Sequence, residues 1–240
     1  MSRTALVTGG AVRVGRAIAL GLAEEGFRLA VHYNRSSGPA EGVVEEIEAG
    51  GGAAASFQAD LSQSASAGGL IRQVEERFGD LHALVNSASI YRPDTISEGT
   101  DEAWELIQAI NVRAPFQLVR EAAPLLTRTG GCVVNIVDLS AFQVWNRFGI
   151  HSVSKTALLK LTRVQARTLA PSVRVNAVAP GNVLPPEDDS EEEIEASRRR
   201  VPLGRIGDPT DVVGAVRYLV NAPYVTGEVV VVDGGRLLEP

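Results

Sequence analysis

Thr4-Ala-Leu-Val-Thr-Gly-Gly-Ala-Val-Arg-Val-Gly-Arg-Ala-Ile-Ala19 decides the fold. Ala5 to Val7 is a short apolar run that reads as a buried strand, and Thr8, Gly9 and Gly10 break it. From Val14 the apolar residues recur at helical spacing, at Val14, Ile18 and Leu22. The stretch is therefore strand, glycine turn, helix. Such a turn aims backbone N–H groups and the positive end of a helix dipole at one spot, which suits a phosphate. Gly9 and Gly10 let the chain turn tightly and approach a ligand, and Gly15 lets the helix pack close to the strand. The spacing is neither G-x-G-x-x-G nor a nucleoside-triphosphate loop, since Arg16 follows Gly15.

Outward from this unit, strands and helices alternate. Strands are expected at Arg28–Tyr33, Ala53–Ala59, Leu81–Val85, Gly131–Val137, Val173–Val178 and Val229–Val232. They are apolar throughout rather than alternating, as in a parallel sheet covered on both faces. The helices between them include Glu41–Ala49, one ending near Phe78, and a long one through Trp104, Ile107 and Ile110 with Asn111 in its middle. Another runs from about His151 to Ala170, and one starts at Asp208-Pro209. Asp60 reads as a cap for the third helix. Within 182–200, the Glu191–Glu193 and Arg198–Arg200 runs are expected to pair along one helix or to form a solvated lid. With no repeat and no break in composition, the 240 residues are expected to form one α/β domain, a doubly wound parallel sheet of about seven strands.

Composition narrows the function. A net charge of −6 argues against nucleic-acid binding, and no apolar run approaches the ~20 residues of a membrane span. There is no secretory pattern at the start, and Cys132 has no internal partner, so the cytoplasm is the expected compartment. His32, His82 and His151 are far apart in the chain, and no metal site is expected. Lysine occurs only at Lys155 and Lys160, in a chain that otherwise uses arginine, which singles out Lys155.

The second strand ends in Tyr33-Asn34-Arg35-Ser36. In a dinucleotide site this strand end meets the adenosine ribose. An acidic side chain there favours NAD; an arginine accommodates the 2′-phosphate of NADP. No Asp or Glu occurs between Arg28 and Ala40, so Arg35 points to NADP(H). The small residues Ser87, Ala88 and Ser89 after the fourth strand would let a flat ligand lie against the backbone.

Taken in order, these motifs resemble the short-chain dehydrogenase/reductase family over essentially the whole chain. The matching positions are Thr8-Gly9…Gly15, Asp60, Asn86-Ser87-Ala88, Asn111, Asp138, the pair His151 and Lys155, Pro180-Gly181, and Val232-Asp233-Gly234-Gly235. Within that family the chain looks most like pteridine reductases. The shared features are Arg13 in the glycine turn, His32-Tyr33-Asn34-Arg35-Ser36, Asn86-Ser87-Ala88-Ser89 with Tyr91 beyond it, and Asp138 at the first catalytic position.

The resemblance implies a Rossmann-type fold, hydride transfer from a nicotinamide coenzyme to a small-molecule substrate, and commonly a homotetramer. It implies catalytic roles for Asp138, His151, Lys155 and Asn111. Lys155 would hold the nicotinamide ribose and Asn111 a proton-relaying water. Coenzyme contacts would come from Gly9, Arg13, Val14, Gly15, Tyr33, Asn34, Arg35, Ser36, Asp60, Leu61, Asn86, Ser87, Ala88, Lys155, Pro180 and Gly181. Substrate contacts would come from Arg13, Ser89, Tyr91 and Asp138, with Tyr91 stacking on a flat ring. The family's acid is the tyrosine of Tyr-x-x-x-Lys, where this chain has His151-Ser-Val-Ser-Lys155. Three readings of His151 stay open: a substitute acid, a bystander while Asp138 protonates a ring nitrogen, or a mark of an impaired enzyme that only binds coenzyme. A general carbonyl reductase is the alternative activity.

Overall fold

A computed structural model describes residues 2–185 and 190–238. Seven strands form one sheet: β1 (Thr4–Thr8), β2 (Arg28–Tyr33), β3 (Ala54–Gln58), β4 (Ala83–Asn86), β5 (Cys132–Ile136), β6 (Arg174–Pro180) and β7 (Val229–Val232). All neighbours are parallel, in the order β3-β2-β1-β4-β5-β6-β7. The chain leaves β1 toward β2 and later returns to place β4 on the other flank of β1. The carboxyl ends of β1 and β4 thus form a topological switch point, where sheets of this kind open a crevice for a ligand.

Successive strand residues face opposite helical layers. Ala5 and Val7 pack with α1 (Arg13–Glu24), α2 (Ser37–Ala49) and α8 (Pro209–Asn221), through Ile18, Leu22, Val43, Ile47, Val212 and Leu219. Leu6 faces the other way, toward α3 (Ser66–Phe78), α5 (Ala114–Thr129) and α6 (Gly149–Leu169), through Leu70, Val74, Leu118 and Leu126. Burying each such side chain contributes roughly 1.5–3 kcal/mol, so the apolar strands fix the two-layer packing. Two helices end on glycines in the left-handed region, α3 at Gly79 (φ 80°) and α5 at Gly130 (φ 61°).

Three local expectations are corrected. The long helix is divided: α4 spans Asp101–Gln108, a π-helical turn spans Ala109–Arg113, and α5 follows. Asn111 lies inside the widened turn, which inserts a residue and re-aims its side chain. Asp60 does not cap α3. Its Oδ1 accepts the Ser62 N–H (3.0 Å) in the turn ahead of that helix, which begins at Ser66. In α7 (Glu191–Arg199) the cations pair with Glu195, three and four residues away from Arg198 and Arg199. Glu191 and Arg198 are two full turns apart, too far for contact; Glu193 instead forms a capping box with Ser190. Residues 186–189 of the polar segment lie outside the described residues.

Candidate active site and dinucleotide cleft

At the switch point the glycine turn is built by close backbone packing. Gly9 has φ +64°, and a Cβ there would stand 3.0 Å from the Ala88 Cα. A Cβ on Gly15 would stand 2.1 Å from the Gly9 carbonyl oxygen, so only glycine lets α1 begin directly under the turn. Thr8 ties the two strand ends together. Its Oγ1 accepts the N–H groups of Ser87 (3.0 Å) and Ala88 (3.1 Å). The first turn of α1 has no side-chain cap and no acidic residue. Its N–H groups therefore remain available to an anion. Arg13 takes a left-handed backbone (φ 51°), and its guanidinium donates to the Leu184 carbonyl (2.8 Å), linking the turn to the segment after β6.

The β2 end has the same character. Tyr33 is half-buried, Asn34 and Arg35 are exposed, and Ser36 leads into α2. The α2 N-terminus likewise has no side-chain cap and no first-turn carboxylate. Asp60 and Leu61 follow β3, and the attraction of Arg35 helps hold the Asp60 carboxyl below its ordinary value, after the hydrogen bonds from Ser62. Asn86 ends β4 and donates from Nδ2 to Asn135 Oδ1 (2.8 Å), which leaves its own Oδ1 buried and unpaired. Pro180 ends β6, and Gly181 donates its N–H to the Val232 carbonyl (2.9 Å). Two open helix N-termini, a cradle that any Cβ would fill and an orphaned buried acceptor fit a dinucleotide laid along the strand ends.

His32, which the sequence marks only as part of the strand-end motif, also belongs to the site. Its ring is buried; Nδ1 accepts the Gly9 N–H (3.1 Å), and Nε2 faces the Ala59 carbonyl (3.0 Å). Set in a strand buried on both faces, it looks like an ordinary strand residue.

The second half of the site lies at the β4, β5 and α6 ends. His151 and Lys155 share one face of α6. His151 is fully buried. Its Nε2 meets Asp138 Oδ2 at 2.7 Å, and its Nδ1 meets the Ile90 carbonyl at 3.0 Å. Asp138 is the open end of the pair, with 20% of its side chain exposed. Its Oδ1 accepts the N–H and hydroxyl of Ser140, so Asp138 also caps the 3-10 turn Leu139–Ala141. Burial alone would raise the Asp138 carboxyl. The His151 hydrogen bond, the Lys155 charge, the His151 charge and Ser140 outweigh burial and hold it below the ordinary carboxylate range. Lys155 is buried and donates to the Ile136 carbonyl (2.9 Å). Burial pushes its ammonium below the ordinary value, and Asp138 pulls part of the way back.

Asn111 clamps this centre. Its Oδ1 accepts from Ile90 N (2.9 Å) and Ser89 Oγ (3.2 Å), and its Nδ2 donates to the Ile90 carbonyl (3.1 Å) and Ser154 Oγ (3.0 Å). An amide offers two donors and two acceptor sites, and protein groups take all four. The Asn111 side chain is thus a strut, and a relay water on this residue would have to sit on its main-chain carbonyl. Tyr91 stacks on Phe148 (4.3 Å between centroids, 15° apart) and meets His151 edge-on at 5.1 Å. One face of Tyr91 is thus taken. Phe148, Trp145 beside it and Ser140 belong to the site and were not legible, because loop contacts rather than spacing bring them there; Ser154 lies on α6 within the quoted motif but had no role assigned.

Comparison with known proteins agrees with this architecture. Residues 10–236 match the family described as enoyl-(acyl carrier protein) reductase. A 3-oxoacyl-[acyl-carrier-protein] reductase of Staphylococcus aureus is 34% identical over 99% of both chains. The alternative dihydrofolate reductase FolM of Brucella canis, solved with NADP, is 36% identical, with a TM-score of 0.94 over 99% of this chain and 95% of its own. A dehydrogenase/reductase of Sinorhizobium meliloti is 37% identical, with a TM-score of 0.91 over 98% and 94%. Fold and site together define an NAD(P)-dependent oxidoreductase. The chain belongs to the short-chain dehydrogenase/reductase family.

Proposed function

We propose that the protein reduces a pterin- or dihydrofolate-like ring with NADPH. The observation that carries this reading is the ionised Asp138 at the open end of a buried Asp138–His151 pair, beside the Tyr91–Phe148 stack. A flat nitrogen heterocycle offers an apolar face to such a wall and an N–H or ring nitrogen to such a carboxylate. The resemblance to FolM supports it.

When bound, NADPH would supply a hydride from its nicotinamide ring. Its diphosphate would lie on Gly9, Val14 and Gly15, its 2′-phosphate on Arg35 and Ser36, and its nicotinamide ribose against Lys155, with Asn86, Ser87 and Ala88 lining the floor. Tyr33, Asn34, Asp60 and Leu61 would flank the adenosine; Pro180 and Gly181 would border the nicotinamide. Arg13 and Ser89 would bound the substrate.

Hydride arrival at a ring carbon of a C=N bond leaves the adjacent nitrogen needing a proton. Asp138 is the group that would deliver it, because His151 is only 1% exposed against 20% for the Asp138 side chain. Both nitrogens of the imidazole face oxygen acceptors, and both Asn111 amide hydrogens are committed elsewhere. A ring that donates from both nitrogens satisfies this geometry. His151 Nε2 would give its proton to the Asp138 carboxylate, which hands one on to the ring nitrogen; Asp138 ends as the carboxylate it began as, and the imidazole ends neutral until a proton from solvent reaches it. His151 is then a positioning and proton-holding residue, and Asp138 the group that touches substrate.

The test is NADPH oxidation with dihydrobiopterin or dihydrofolate against simple ketones and a 3-oxoacyl thioester. Pterin turnover without ketone turnover supports the reading; the reverse pattern supports a carbonyl reductase, which the 3-oxoacyl reductase relatives favour. Coenzyme binding with no turnover of either would mark an impaired enzyme.

We also propose a homo-oligomer, a tetramer by family resemblance, in the cytoplasm. Half-exposed Phe116, Val153 and Val164 on α5 and α6, beside Val112 and Leu161, form an apolar face suited to a second copy. No described helix is long and apolar enough to cross a membrane.

A further inference from the structure

We infer that His32 is the positioning residue of the phosphate-binding turn, acting as a neutral imidazole strut; this rests on the dinucleotide reading above. From Gly9 to Val12 the turn has no polar side chain to hold its shape, and Arg13 at the start of α1 reaches away from it to Leu184. His32, reaching from β2, supplies the hold. Its Nδ1 accepts the Gly9 N–H (3.1 Å), its own carbonyl accepts the Gly10 N–H (3.0 Å), and its Nε2–H donates to the Ala59 carbonyl at the end of β3 (3.0 Å). One residue thus locks three strand ends at the point where the diphosphate would lie.

The contact set fixes the tautomer. Gly9 N–H is a donor, so Nδ1 must be the acceptor, and Ala59 offers only an acceptor, so Nε2 carries the hydrogen. A doubly protonated ring would point N–H against N–H at Gly9. Burial pushes the His32 imidazole below its ordinary value of 6.5, with the Ala59 bond opposing, which keeps the ring neutral. The two ring nitrogens meet only backbone, from Gly9 and Ala59. Among the described residues no charged side chain adds to these two influences, Asp60 and Arg35 included.

The Gly9 N–H is directed down to His32, while its carbonyl oxygen faces Gly15 and its Cα faces Ala88. Removing the acceptor leaves a buried N–H unsatisfied and frees the turn to rotate.

The experiment compares wild type, His32→Asn and His32→Leu. Asparagine Oδ1 takes the place of Nδ1 and cannot titrate; leucine fills the space without an acceptor. NADPH affinity is measured by fluorescence titration at pH 8. His32→Leu is expected to bind about tenfold or more weakly, with kcat at saturating coenzyme within about threefold, and His32→Asn to stay near wild type. Coenzyme-free melting is followed from pH 8 to 5. The folded-state value lies below 6.5, so wild type loses stability as pH falls below 6.5, and His32→Asn loses less. Equal NADPH affinity for wild type and His32→Leu, or His32→Asn as weak as His32→Leu, overturns the inference. If wild type takes up no NADPH, the dinucleotide reading fails by itself. The pH-dependent melting of wild type against His32→Asn then still decides whether a neutral His32 holds the turn, and it also decides if His32→Leu does not fold.

Discussion

Replacing Gly15 with alanine isolates the coenzyme turn from the rest of the site. The new Cβ would stand 2.1 Å from the Gly9 carbonyl oxygen and 2.8 Å from its carbon, both backbone atoms that no rotamer change can move. Relief needs about 1 Å of separation between the turn and α1. Overpacking of this kind costs about 1–3 kcal/mol when the structure must absorb it. In the free protein part of this cost is met by straining the His32 contacts that hold the turn, which the melting temperature reads. A turn displaced from the α1 N-terminus no longer presents its cradle to the diphosphate, so coenzyme affinity is expected to fall by about 5- to 100-fold. The assay is NADPH fluorescence titration of wild type and Gly15→Ala, with melting temperature as the control for folding. NADPH affinity within a factor of two of wild type, in a folded variant, would refute the placement of the diphosphate on this turn.

Arg35→Ala is expected to weaken NADPH binding by tenfold or more, as a charge-assisted contact to the 2′-phosphate is lost, and to leave NADH binding nearly unchanged; parallel titrations check it, and equal effects remove Arg35 from that phosphate. Asp138→Asn should cut kcat by about 10²–10⁴-fold, the usual range for a proton-transfer group, while NADPH affinity stays within threefold. The same substitution tests the pH profile of stability. The Asp138 carboxyl is held below 3.8, so its contribution is present above that pH and is lost as pH falls through the lowered folded value. Wild type should therefore lose more stability below pH 3.8 than Asp138→Asn, a difference read by acid titration of the circular dichroism signal. Phe116→Glu places a charge on the apolar face of α5 and should shift light scattering toward smaller assemblies; an unchanged mass argues against that face as the contact.

The sheet was legible because every strand is a short apolar run bounded by breakers, and a parallel strand buried on both faces must look so. The glycine turn was legible for a related reason, since few sequences put Gly9, Gly10 and Gly15 between a strand and a helix. Strand ends shifted by one or two residues, because pairing rather than apolarity sets where a ladder stops. The π-helical turn was hidden, as Asn111 announces only that a helix is locally unhappy, not how the backbone answers. His32 stands in the strand-end motif with no role attached, and its part appears only when β1 and β3 flank it. The Asp138–His151 contact joins a strand end to a helix thirteen residues on, and no periodicity records it. The stack of Tyr91 on Phe148 comes from two loops meeting, which explains why Tyr91 alone was visible.

The account stands on the crevice between the carboxyl ends of β1 and β4 being the seat of a phosphorylated nicotinamide coenzyme. Isothermal titration of the folded protein with NADPH and with NADH tests it most directly. One saturable site per chain, with NADPH bound at least tenfold more tightly than NADH, is the predicted result; no heat from either coenzyme, in protein whose melting temperature neither one raises, would contradict it.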